Sequence, residues 1–462
     1  MVKSYKIKTK KLLLRIAFFL IATAIVFLVG FKKYDLKKPN ILIILTDDQG
    51  FHDVSFNGTK DVKTPNIDEI AHNGMILENF YANSPVCSPT RAALLSGKYP
   101  DQVGVPGVIR TYPEDNWGYL DPKAELLPEA LKKAGYSTAI IGKWHLGLSS
   151  PNLPNEKGFD YFHGWLGDMM DDYLTHRRHG INYMRKNEEI VDPSGHATDL
   201  FTQWSVDYIA NQSKRETPFF LYLAFNAPHA PVQPPKELVE KVKQRNPNIN
   251  PKRAELVALI EHLDDGIGKV LKALKDNGLY ENTLIVFTSD NGGNLPDFAN
   301  NGPNRDGKQS MYEGGLKVPT CVSWPGKIKA GSNSSQVNLT MDLFPTLLEA
   351  GQAIPSLNED SKSFLSVLLG KKQQEYPNRT FYFTRREGGL DYNGQCSYAI
   401  RQGDWKLLRN KPGMPMELYN LKNDPLEKEN VINQNITLYK ELNKKLMLNI
   451  QKGAEIPWQK LK

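Results

Sequence analysis

The stretch Asn40-Ile41-Leu42-Ile43-Ile44-Leu45-Thr46-Asp47-Asp48 decides the fold. Ile41–Thr46 is a short, almost unbroken apolar run with no polar alternation. That is the pattern of a strand buried on both faces, as in a parallel sheet. Four further runs read the same way: Thr138–Ile141, Phe219–Phe225, Leu284–Thr288 and Thr320–Trp324. Helical patterns separate them at Leu126–Ala134 and Leu256–Asn277, the second closed by the stop signal Asn277-Gly278. Strands alternating with helices predict an α/β fold, a large, mostly parallel sheet covered on both faces.

The pattern changes after about residue 350. Ser356–Gly370 reads as a connection plus a short helix. Thr380–Thr384, Ser397–Arg401 and Trp405–Arg409 read as short strands joined by turns, and Asn435–Gln451 as a closing amphipathic helix. The chain is therefore expected to divide into a leader (1–38), a catalytic α/β domain (39–355) and an α+β subdomain with an antiparallel sheet (356–462).

Composition narrows the class. In 462 residues, 40% are hydrophobic and 24% charged, which excludes a disordered or fibrous chain. Three cysteines exclude a disulfide scaffold and a multi-cysteine zinc framework. The net charge is +7, but residues 1–38 hold nine Lys, Arg15 and one acid. That segment carries +9 and leaves −2 for the rest, so a nucleic-acid partner is not expected. Basic residues flank the apolar run Ile16–Phe31, about 24 Å of helix against a hydrocarbon core of about 30 Å. The segment is either a cleaved signal peptide or, extended to residues 12–31, a membrane anchor. Either predicts an exported protein, periplasmic or extracellular.

Ligands of open α/β sheets bind beyond the carboxyl ends of the strands. Here those ends run into Asp47-Asp48, Gly142-Lys143-Trp144-His145, Asn226-Ala227-Pro228-His229 and Asp290-Asn291-Gly292-Gly293. Each tetrad taken singly is also an ordinary loop or turn sequence. Together they bring acids, an amide, a lysine and two histidines to one edge. Asp47, Asp48, Asp290 and Asn291 form an oxygen-only donor set suited to Ca²⁺ or Mg²⁺ rather than zinc. In Val86-Cys87-Ser88-Pro89-Thr90-Arg91, Ser88 fits an N-cap, Pro89 the first helical position and Gly97 the helix end. Cys87 then stands just outside a helix N-terminus, an anion site within reach of Arg91. It could be a low-pKa thiolate, a buried free cysteine, or half of a disulfide with Cys321 or Cys396.

At Cys87-Ser88-Pro89-Thr90-Arg91 the chain resembles the sulfatase family of the alkaline phosphatase superfamily, whose C-x-P-x-R core directs oxidation of the cysteine to formylglycine. Gly135–His145 matches the family's second motif throughout, and Ser96 replaces the threonine many members have before Gly97. Asn40–Gly50, Asn226–His229, Asp290–Gly293, Gly403–Leu407 and Glu417–Leu421 also resemble family segments in the right order. The resemblance implies one Ca²⁺ held by Asp47, Asp48, Asp290, Asn291 and the hydrated aldehyde at position 87. One hydroxyl of that diol would attack sulfur, and the second would let sulfate be eliminated. Asp290 is placed to take the diol proton, Arg91 to stabilise its charge, and Lys143 and Lys308 to hold sulfate oxygens. Lys308 is carried over from its place before Glu313-Gly314-Gly315. His229 or Lys308 would protonate the leaving alcohol, and His145 would assist elimination.

Asp168–His176 is similar to a stretch of arylsulfatase-B-like glycosaminoglycan sulfatases. It implies a polar sugar subsite, so the expected substrate is a sulfated saccharide. Maturation would need a formylglycine-generating enzyme or an anaerobic equivalent. Three other readings compete. A phosphomonoester or phosphonate hydrolase usually has a second metal, whereas one oxygen-rich set is visible. A non-catalytic glycan receptor would have no need of the acid–base groups. A phosphoethanolamine-type transferase would need several membrane spans.

Overall fold

The computed structural model describes residues 37–112, 118–354, 360–371 and 379–457. The expected leader and anchor lie outside them, apart from Lys37 and Lys38. Among the described residues no helix is long and apolar enough to cross a membrane.

A ten-stranded sheet forms the framework. In chain order its strands are Asn40–Thr46 (β1), Gly74–Leu77 (β2), Ser137–Lys143 (β3), Tyr161–Trp165 (β4), Met184–Lys186 (β5), Glu189–Ile190 (β6), Phe219–Ala224 (β7), Thr283–Ser289 (β8), Cys321–Ser323 (β9) and Ser332–Ser334 (β10). Their spatial order is β10-β2-β9-β8-β1-β7-β3-β4-β5-β6. The five central strands from β8 to β4 are all parallel.

Strand periodicity divides the core in two. Ile41, Ile43 and Leu45 face one cluster, and Leu42 and Ile44 the other. The first cluster is closed by helices that include Cys87–Ser96 and Leu127–Lys133, the second by Ala197–Gln212 and Pro251–Asp276. The last of these begins five residues before the expected Leu256, because Asn250 caps it by accepting from Lys252 N–H and Pro251 opens it.

One expectation fails. Thr320–Trp324 was read as a parallel strand, but β9 runs antiparallel to both β8 and β2. No long helix carries the chain back between β8 and β9, where the only α-helix is the single turn Glu313–Leu316. The chain stays at the edge where β8 ends and re-enters the sheet from there. An apolar run carries no sign of its direction.

The expected antiparallel sheet is present, with four strands: Thr380–Arg386 (β11), Cys396–Gln402 (β12), Trp405–Arg409 (β13) and Glu417–Asn420 (β14). It shares a core with the closing helix Ile436–Gly453 through Leu442 and Leu446, and with Tyr81, Met311 and Leu316. A buried ion cluster pins it further. Lys406 Nζ lies 2.8 Å from Glu313 Oε1 and 2.9 Å from Glu427 Oε1, and Glu427 Oε2 accepts from Glu313 N–H at 2.6 Å.

Asp101 packs beneath this sheet. It accepts from the Tyr382 hydroxyl at 3.1 Å, while its other oxygen is buried without a partner. Burial pushes its pKa up to about 7. The native state therefore holds a proton that the unfolded chain gives up near its ordinary value of about 3.9. This contribution to stability is complete below that value and is lost as pH rises through about 7. Asp101→Asn should match the parent in urea unfolding near pH 4 and exceed it at pH 8, by at most about 4 kcal/mol. An unchanged difference between the two pH values would refute the assignment.

Candidate active site

The register of the central strands places the site. Thr46 pairs with Ser289, Leu45 with Ala224, and Ala224 with Gly142. The residues that follow emerge at one level: Asp47-Asp48 after β1, Asp290-Asn291 after β8 and Asn226 after β7. Lys143 is the last residue of β3 rather than lying beyond it. Gly142 makes this approach possible. Its φ is +103°, and a Cβ there would lie 1.9 Å from the Ala224 carbonyl oxygen. Asp48 (φ 66°) and His145 (φ 60°) adopt the left-handed region without being glycine, a strain typical of functional positions.

Three carboxylates face three cations. Asp47 Oδ2 lies 2.5 Å from Lys143 Nζ and 3.6 Å from Arg91 Nη2. Asp290 Oδ2 accepts from Arg91 Nε at 3.0 Å and Nη2 at 2.7 Å. Asp48 Oδ2 accepts from Lys308 Nζ at 2.7 Å, and its Oδ1 from Asn291 Nδ2 at 2.7 Å. Asp47, Arg91, Lys143, Asp290 and Asn291 have no solvent exposure. Burial works against ionisation of Asp47, but Lys143, Arg91 and Lys308 outweigh it and hold the carboxyl well below its usual range. Asp290 moves the other way: burial and the charge of Asp47 push it up to about 7 against the pull of Arg91.

Cys87 opens the helix Cys87–Ser96. The N-cap is Val86, extended and without a side-chain bond, so the expected Ser88 cap is not formed. Ser88 is used elsewhere, its Oγ accepting from Ile109 N–H at 3.0 Å. Thr90 exchanges hydrogen bonds with the backbone of Ser84, and Gly97 closes the helix as expected. All three cysteines are free. Burial pushes the Cys87 thiol up more than Lys143 draws it down, which removes the thiolate reading.

The two histidines have assigned tautomers. His145 Nε2 donates to the Ile109 carbonyl at 2.8 Å, which leaves Nδ1 as a buried, unpartnered lone pair. Burial, then Lys143 and Arg91, depress its pKa well below the ordinary value. His229 Nδ1 donates to the Ala230 carbonyl at 2.7 Å, so Nε2 accepts from Lys308 Nζ at 3.0 Å. Burial and Lys308 keep His229 neutral. Lys308 resists the same burial because Asp48 faces it.

All ten residues singled out from the sequence thus converge on this edge. Asp168–His176, expected to form a polar sugar subsite, lies beside His229. Asp168 and Asp171 accept from Arg178, Asp172 accepts from Leu174 N–H and Thr175 N–H, and the Tyr173 hydroxyl donates to the His229 carbonyl at 2.9 Å. The segment's acids build its own loop, and that loop braces His229.

Arg385 was missed. It is the penultimate residue of β11, donates to Glu387 and Gln309, and lies within electrostatic reach of Cys87. The signal was present: Arg385-Arg386-Glu387 follows the expected strand Thr380–Thr384 and is another charged strand end.

Residues 39–353 match the sulfatase family, and residues 306–455 match the C-terminal region of N-sulphoglucosamine sulphohydrolase. The N-acetylgalactosamine-6-sulfatase of Mus musculus is 36% identical over 80% of this chain and 71% of its own length. A sulfatase of Formosa agariphila is 32% identical over 87% of this chain and 86% of its own length. The crystal structure of Ps i-CgsB superposes with a TM-score of 0.82 at 32% identity, covering 90% of this chain and 93% of that one. The phosphonate monoester hydrolase of Agrobacterium radiobacter, at 21% identity and a TM-score of 0.66, shares the fold.

Proposed function

The chain belongs to the sulfatase family, and from that premise we propose that it removes sulfate from a sulfated carbohydrate, with Cys87 converted to formylglycine and one calcium ion beside it. The observation that carries this reading is the convergence of Asp47, Cys87 and Asp290, whose donor atoms all lie within 4.8 Å of one another. The residues fit a hard cation. Asp47 Oδ1 and Asn291 Oδ1 are buried oxygens without a partner, and Asn291 is oriented by its Nδ2 bond to Asp48. Asp47, Asp48, Asp290, Asn291 and the modified Cys87 would hold the ion. Calcium would supply fixed positive charge, and the hydrated aldehyde a hydroxyl nucleophile with a second hydroxyl for release of sulfate.

Arg91 holds Asp290 as acceptor for the nucleophile's proton. Lys143 and Lys308 present ammonium groups to the sulfate oxygens. The Nδ1 lone pair of His145 is the base for elimination, and the His229–Lys308 pair holds the proton for the leaving alcohol.

Related proteins support the saccharide. Several are N-acetylgalactosamine-6-sulfatases, and Ps i-CgsB has been solved with a neocarrahexaose. In this reading residues 39–355 form the catalytic domain and 356–462 a supporting subdomain. The protein is exported through its leader, and a formylglycine-generating enzyme or anaerobic equivalent matures it.

Tryptic mass spectrometry of active protein from its native host should find the position-87 peptide lacking sulfur and two hydrogens and carrying one added oxygen. Fully active enzyme with intact cysteine would refute the mechanism. Chelated protein should gain thermal stability on addition of calcium or magnesium, and Asp48→Ala should lose that gain together with several orders of magnitude in kcat. A variant with normal metal content and activity would overturn the donor set.

His229→Ala should slow hydrolysis of a sugar sulfate by ~10²–10⁴-fold more than that of a nitrophenyl sulfate, whose leaving group hardly needs a proton. The measurement is kcat/KM on both substrates. Equal losses would make His229 a sulfate ligand and Lys308 the acid. Turnover of steroid or lipid sulfates without any sulfated saccharide would overturn the carbohydrate reading.

A further inference from the structure

A groove of about 1020 Å³ lies at the opposite edge of the sheet. It is lined by the starts of β3 and β4, at Ser137 and Tyr161, and by the second half of the helix Ala197–Gln212. Ser137 and Lys143 stand at opposite ends of β3, about 20 Å apart at the usual rise per residue. The groove is therefore separate from the site built around Cys87.

Its floor is aromatic. Tyr161 stacks on Tyr208 at 5.9 Å, and His163 on Trp204 at 3.4 Å between ring centroids. Tyr161, His163 and Trp204 are half-buried, so the rings keep part of their surface open. Two polar atoms in the lining are buried without a partner: the Tyr208 hydroxyl, in a residue 8% exposed, and Gln212 Oε1, in a residue 5% exposed.

The rim is cationic. Lys186, Lys214 and Arg215 are exposed and form no ion pair among the described residues. The acids nearby are already engaged: Asp160 with Lys132 and Thr138, and Asp207 with Gln203.

We propose that this groove is a second binding site for sulfated saccharide, holding a segment of the polymer whose sulfate esters are cleaved at the far edge. The inference rests on the carbohydrate reading above. Pyranose rings stack on aromatic faces, and the three cations suit sulfate groups. Holding the chain at a second point raises the local concentration of esters at the active site without any new catalytic contact.

The test is native electrophoresis of the full chain through gels containing chondroitin sulfate, ι-carrageenan or heparin, each beside its desulfated form. At least one sulfated polymer should retard the protein more than its desulfated partner. The double variant Lys214→Glu/Arg215→Glu, whose surface positions spare the fold, should weaken that retardation about tenfold, since each exposed cation contributes up to about fivefold. Trp204→Ala should act in the same direction. Turnover of a small aryl sulfate should be unchanged in both, while turnover of the polymer falls. Absence of retardation by every polymer, or equal retardation of parent and variants, would overturn the proposal. Retardation that depends on the groove, in a protein that releases sulfate from no saccharide, would overturn the proposed function and leave the groove standing.

Discussion

The structure depends on one constraint: three carboxylates and three cations must be buried together at the end of a parallel sheet. Charged groups out of water cost several kcal/mol each unless their partners are well placed. Here every partner comes from a different segment. Asp47 and Asp48 follow the central strand, Asp290 its neighbour, Lys143 ends a third strand, Arg91 comes from a buried helix and Lys308 from a loop. Apolar side chains of similar volume would often hold such a position as well or better. The ionic cluster therefore reads as a requirement of chemistry, and the surrounding fold as what keeps six charges in register.

The small antiparallel sheet belongs to that arrangement. Lys308 sits in a loop with little secondary structure of its own. Gln309 N–H donates to the Pro85 carbonyl, beside Cys87 in the chain, and Asn410 accepts from Ser310 and Met311 N–H. Arg305 stacks on Tyr312 and donates to the Tyr419 hydroxyl. Glu313, at the far end of the loop, is locked between Lys406 and Glu427. Gly292 and Gly314 let the two loops meet backbone to backbone, since a Cβ on Gly292 would stand 1.8 Å from the Gly314 oxygen. The residues after 380 therefore hold the Lys308 loop from outside, which gives the late segment around Lys406 a physical role.

What could be read from the sequence follows the range of each signal. Buried strands, helix starts and stops and the residues just after strand ends are local patterns, and nine of the ten site residues were legible through them, whereas Lys308 came only from the family resemblance. Pairing is not local. Nothing in Thr320–Trp324 states that it runs antiparallel, and nothing in Ser88 states that it will serve Ile109 rather than cap its own helix. The tautomers of His145 and His229 depend on carbonyls at Ile109 and Ala230, groups every residue has and no composition reveals. Arg385 was lost for a different reason: the strand-end rule was applied to the parallel sheet, and Arg385 follows an expected strand of the antiparallel one.

The environment of Cys87 bears on why this position would be modified rather than used as it stands. An effective thiolate needs a net positive surrounding and some access to water. Lys143 and Lys308 favour ionisation of Cys87, but Asp47 and Asp290 oppose it, and burial is the largest influence, so its thiol is driven up and stays neutral. Removing the acids would ease ionisation of the thiol only in part, since burial would remain, and would dismantle the donor set that fits a divalent ion. The same carboxylates that suppress sulfur nucleophilicity are those that would hold a cation next to an oxygen nucleophile. A hydroxyl group is a hard donor matched to that cation, whereas a thiol is not. The cluster therefore suits an oxygen at position 87 and works against sulfur there, which is what the proposed conversion of Cys87 would require.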